Sequence, residues 1–115
     1  MAVTAENSGT QTATIGTEHF VEDTPNTGVF TFHVDTVNMV AGDILELRVY
    51  QMVLTAGTSR VVAFAAFYGA QLTDDLIKAS LPIGNELADA TSLRFSLKQT
   101  FGTGRAFPWK VLRYN

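Results

Sequence analysis

His19 and His33 are the only histidines in the 115-residue chain, and no cysteine is present to share metal or nucleophile work with them. Neither belongs to an HxH or HExxH pattern, and no third ligand stands at a metal-binding spacing. The nearest approach to a metal set is His19, Glu22, His33 and Asp35 on neighbouring strands, and hydrogen-bonded or solvent-facing imidazoles are the expected alternative. The carboxylate pairs Glu22-Asp23 and Asp74-Asp75 are adjacent in sequence, so on a strand they point to opposite faces and do not converge as glycoside chemistry requires. Ser8, Ser59, Ser80, Ser92 and Ser96 stand in no nucleophile elbow, and Gly102-Thr103-Gly104 is too short to cradle a phosphate. The chain is therefore expected not to be an enzyme and to need no metal or cofactor.

Aromatic residues allow two binding readings. Trp109 and Phe107 fall at i and i+2 beside Arg105, an arrangement that would stack on a sugar, and Tyr50, Tyr68 and Tyr114 are further platforms. Phe101, Phe107 or Trp109 beside Arg105 and Lys110 would stack on single-stranded nucleic acid. A lone tryptophan between Phe107 and Val111 on a strand is more commonly core. A net charge of −3 also raises the cost of approaching a polyanion, so nucleic acid is not the expected partner.

Charge is laid out asymmetrically. Residues 1–47 hold seven acids and no lysine or arginine, whereas residues 90–115 hold Arg94, Lys98, Arg105, Lys110 and Arg113 and no acid. Either the two ends of the chain pair with one another, or an acidic face of one copy meets a basic face of another molecule.

The elements that must position these residues read as strands. Phe30, Phe32 and Val34 alternate with Thr31, His33 and Asp35; Leu93, Phe95 and Leu97 alternate with Arg94, Ser96 and Lys98; both runs have the period of half-buried strands. Residues 44–54 form a long strand with Leu45, Leu47, Val49, Gln51 and Val53 on one side. The run from Arg60 to Tyr68 is apolar on both faces, which predicts a central strand covered on both sides. Residues 15–21 make a short, imperfect strand. Ile77, Ala79, Leu81 and Ile83 alternate into an edge strand carrying Pro82, although Asp74–Ala79 could instead form one helical turn. Gly102–Gly104 is read as a hairpin turn into a last strand, Arg105–Tyr114, where Pro108 calls for an edge or bulge.

Seven or eight antiparallel strands with glycine-bearing turns, and no amphipathic helix of ten residues, predict an all-β domain, a β-sandwich or jelly roll over residues 14–115. Residues 1–13 are polar and hold one sizeable aliphatic, Val3, which predicts a flexible or docking N-terminal arm. No basic stretch followed by an apolar run opens the chain and no window approaches a membrane span, so neither export nor a membrane is expected.

Apolar residues on both sides of 44–54 and 60–68 exceed what one sandwich of this size covers, which points to a homo-oligomer. Tyr50, Met52, Phe67, Arg94, Lys98, Arg105, Lys110 and Arg113 are the residues expected at its contacts. The units VNMVAGDILELRVYQMVLTAGTSR and LKQTFGTGRAFPWKVLRYN resemble small β-sandwich virion proteins of tailed bacteriophages, of the kind that decorate or cement a capsid. The resemblance spans residue 28 onward and rests on architecture and turn style. It implies a structural subunit, trimeric by preference, seated on major capsid protein in a virion assembled in the host cytoplasm. A carbohydrate- or receptor-binding module, such as part of a tail fibre, is the alternative.

Overall fold

The clearest alternations in the sequence become the centres of two antiparallel sheets. In the computed structural model, which describes residues 2–115, the strands are β1 (Val3–Thr12), β2 (Glu18–Thr24), β3 (Gly28–Asp35), β4 (Ile44–Gln51), β5 (Arg60–Tyr68), β6 (Ile77–Ala79), β7 (Ile83–Asn85), β8 (Leu93–Phe101) and β9 (Ala106–Tyr114). One sheet has the order β1-β9-β3-β6, with β7 also pairing to β3; the other has the order β2-β8-β4-β5. The chain is all-β, as the turn spacing predicts, with nine strands among the described residues because Pro82 divides the expected 77–83 strand in two and Val3–Thr12 adds another. Among the described residues the single helical element is a 3₁₀ turn at Thr73–Asp75.

Period-2 burial brings the two inner faces together. Phe30, Phe32 and Val34 from β3 and Phe107 and Val111 from β9 meet Leu45, Leu47 and Val49 from β4 and Leu93, Phe95 and Leu97 from β8 in one core. Phe95 joins the sheets, its ring centroid 5.5 Å from that of Phe32 and 6.4 Å from that of Phe30 in tilted geometry.

Five expectations are corrected. Val3–Thr12 is not a free arm but an edge strand: its side chains bury little, and it is held by the β9 ladder and by polar links across to β2. A bulge between Ala5 and Asn7 frees Glu6, whose carboxylate accepts from Thr24 Oγ1 and Asn26 Nδ2, both at 2.5 Å, while Asn7 donates to Glu22 at 3.0 Å. Met1 lies outside the described residues. Secondly, β5 is an edge strand and not a central one; Ala63, Ala65 and Ala66 supply apolar character without bulk, and Val61, Val62, Phe64 and Tyr68 stay exposed. Its register with β4 slips by one residue, leaving Val62 without a partner.

Thirdly, the alternation expected over 77–83 does not hold as one face: Ile83 is buried, but the first half of the run faces the other way. Lys78 turns inward and Ile77 and Leu81 turn out, because the Lys78 ammonium finds Asp75 at 2.9 Å and the face of the Phe67 ring at 4.8 Å. Fourthly, Gly102–Gly104 closes no hairpin; β8 and β9 lie in different sheets, so the turn carries the chain from one layer to the other. Finally, β9 lies between β1 and β3 instead of at an edge. Its ladder to β3 ends at Trp109, so Pro108 has only β1 beside it and its missing N–H interrupts nothing on the β3 side.

Candidate functional site

The outer face of the β2-β8-β4-β5 sheet collects three of the expected contact residues and ties each into the chain. Glu18 accepts hydrogen bonds from the Tyr50 hydroxyl at 2.7 Å and the Ser96 hydroxyl at 2.6 Å. Burial alone would raise the Glu18 pKa, but these bonds, with Arg48 and Lys98 nearby, hold it below its ordinary value. Arg94 pairs with Asp23 at 3.0 Å and lies over the Phe20 ring, 3.9 Å from its centroid. Lys98 stands opposite Glu18 on one neighbour and Glu46 on the other. Arg48 pairs with Glu46 at 2.8 Å and covers Phe64 at 4.8 Å.

The other expected contact residues scatter. Met52 and Phe67 pack inward, Lys110 is exposed on the first sheet, and Arg113 donates to the Thr27 carbonyl at 2.9 Å. Arg105 lies in the connection from β8 to β9, its Nε 2.9 Å from the buried Asp43 carboxylate. The acidic first third and the basic last quarter therefore meet each other within one chain, through Asp23–Arg94 and Asp43–Arg105 and along the β2-β8 ladder.

The candidate chemical groups do not converge. His19 lies on β2, where its Nε2 accepts from the Thr14 amide at 3.1 Å, and His33 lies in the other sheet. Among the described residues no cluster of three or more histidines and carboxylates is placed to hold a metal ion. Trp109 packs partly buried against the core, its indole so near Gly9 that an added Cβ there would touch it at 3.4 Å.

His33 carries a pH consequence. Its Nε2 is 2.8 Å from Thr31 Oγ1, and burial, reinforced by Lys110, holds its pKa below the ordinary 6.5. A depressed folded value means stability that is complete above pH 6.5 and lost as pH falls toward the folded value. Asp43 behaves in the same sense in a lower window. Burial would raise its pKa, but Arg105 and the Val40 amide hold it below 3.8. The thermal midpoint is expected to be flat near pH 8, to fall as pH drops below 6.5, and to fall again below 4; His33→Gln removes the upper step alone. An unchanged upper step in that variant contradicts the assignment.

What sequence reasoning missed is a cleft. Between the edge strand β5 and the β6–β7 segment the two sheets stay open, leaving a hollow of about 700 Å³. Leu47, Val49, Phe67 and Ile83 line it, Lys78 and Arg48 add cationic stems, and Phe64 and Leu81 stand at the rim. Its volume and largely apolar lining match those of ordinary binding clefts. The available signals were Pro82, which interrupts the strand that would have closed this side, and the alanines of β5. Comparison with known proteins finds no matching family model, no matching curated protein and no matching solved structure.

Proposed function

We propose that this chain is a non-enzymatic structural subunit of a virion, a decoration or cement protein that stabilises a phage head by packing against copies of itself, as a trimer by preference, and against major capsid protein. The observation that carries this reading is the uncovered apolar surface on the β5 side: Val61, Val62, Phe64 and Tyr68 of β5 remain exposed, and Val62 and Phe64, with the exposed Leu81, border an open apolar cleft. Buried area of that kind stabilises only the assembled state, which is how an added subunit strengthens a shell.

The finer fold reading is a jelly roll. Its support is the nesting of antiparallel pairs, β4 with β5, β3 with β6, β2 with β8 and β1 with β9, as if one long hairpin were rolled up. That architecture serves viral capsid and lectin domains alike, so it favours the assembly role only together with the exposed surface and the resemblance of the turn-strand units to phage virion proteins.

The test is binding to phage heads. Purified chain mixed with heads stripped of accessory proteins is expected to cosediment at a fixed copy number and to raise the temperature at which DNA escapes. Recovery of all the chain in the supernatant, with binding on a glycan array lost in Trp109→Ala, would instead establish the carbohydrate-binding reading.

A further inference from the structure

Beyond β4 the chain makes a short turn in which two apolar residues are left out of the core. Val53 is 81% exposed and Leu54 is 73% exposed, side by side in the β4–β5 connection. The turn is firmly built. Met52 is buried at its base with its amide bonded to the Ser92 carbonyl at 3.1 Å, the Gly57 amide donates to the Leu54 carbonyl at 2.9 Å, and the Ala56 amide donates to the Asp89 carboxylate at 3.0 Å. Ala56 takes a left-handed φ of 59°, and a Cβ at position 57 would stand 2.8 Å from the Leu54 carbonyl oxygen, so glycine is required there. Two apolar side chains are thus held out toward water on a turn already ordered, which lowers the entropy cost of docking them.

We infer that the exposed Val53–Leu54 pair of one copy seats in the cleft between β5 and β6–β7 of a second copy. Three features of the cleft fit that occupant. Its volume of about 700 Å³ admits both side chains, its lining is apolar, and Leu81 at its rim is 82% exposed and available for contact. Charge also matches: Met52–Ser59 carries no ionisable side chain, and the two cations lining the cleft are already satisfied, Arg48 by Glu46 and Lys78 by Asp75. A neutral apolar insert therefore leaves no charge stranded. Inserted pair and cleft are different surfaces, so two copies either exchange the contact reciprocally about a twofold axis or make it head-to-tail, in which case it closes into a ring when the rotation allows. The inference rests on the assembly reading above and gives it a specific contact.

The absence of cysteine makes the test clean. Leu54→Cys copies mixed with Leu81→Cys copies under mild oxidation are expected to give a cross-linked pair as the main product, with little cross-linking in either variant alone. A dominant 54–54 product, or a mixed product no more abundant than with a Thr10→Cys control, would overturn the inference. In parallel, Val53→Asp combined with Leu54→Asp is expected to reduce self-association at least tenfold, with the circular dichroism spectrum unchanged because both residues are exposed. Wild-type self-association in that variant overturns the contact. The two readings fail separately: chains that cross-link as described but ignore phage heads refute the virion role alone, and chains that bind heads without the 54–81 product refute the contact alone.

Discussion

Replacing Gly102 with alanine is expected to destabilise the fold by on the order of 3 kcal/mol or more, enough to unfold a marginal domain. Gly102 has a φ of +92°, a region that costs a side chain about 1–2 kcal/mol. An added Cβ would also run into the Asp43 side chain and stand 3.0 Å from the Asp43 Cα. That carboxylate is buried, and its Oδ2 already accepts from the Val40 amide at 3.0 Å and from Arg105 at 2.9 Å. Its Oδ1 has no hydrogen bond of ordinary geometry; the Thr103 amide lies near enough to favour the ionised form without completing one. Pushing Asp43 aside would break one of the two ion pairs that join the acidic and basic ends of the chain. Gly42→Ala is the control: it has the same φ of +92° but nothing within 4 Å of the added Cβ. Urea denaturation should place Gly42→Ala near the strain cost alone and Gly102→Ala well below it. Equal losses would show that the crossing turn does not lean on Asp43.

The second large effect is expected at Phe95. Its ring is fully buried and touches the β3 phenylalanines of the opposite sheet, so Phe95→Ala opens a cavity where the layers join. Such deletions cost about 3–5 kcal/mol. The same deletion at Phe64, exposed at the cleft rim and covered only by Arg48, should cost the isolated chain less than about 1 kcal/mol. A Phe95 cost no larger than the Phe64 cost would mean that the sheets do not share the core described.

Strands with one buried face were legible. In β3, β4 and β8 the alternation of Phe30, Phe32 and Val34, of Leu45, Leu47 and Val49, and of Leu93, Phe95 and Leu97 matches the burial found, because a half-buried strand imposes its period on the residue types. β1 was not legible, since a strand held by backbone pairing and a few polar links needs no apolar pattern. β5 misled because composition records apolar character and not cover; its alanines and phenylalanines suit an edge beside an open cleft as well as a central strand. Lys78 misled because inward turning depends on Asp75 and Phe67, which come together only in the folded chain. The turn at Gly102–Gly104 has the residues of a hairpin and performs a layer crossing, a distinction local turn chemistry does not carry. Of the contact residues expected from sequence, Tyr50, Arg94 and Lys98 share one face. The cleft was invisible because it is made of what two edges leave uncovered.

Opposed charge in the sequence is compatible with docking between molecules, yet Asp23–Arg94 and Asp43–Arg105 place the attraction within one chain. The association proposed above then draws mainly on apolar surface, and its strength should change little with salt.

Sedimentation equilibrium of the unmodified chain across a wide range of concentrations, at low and high salt, tests this directly. The account predicts a mass that rises from the 12.5 kDa of one chain to a multiple of it, with a midpoint nearly independent of salt. A mass of one chain at every concentration, or an assembly that dissolves as salt is added, would contradict it.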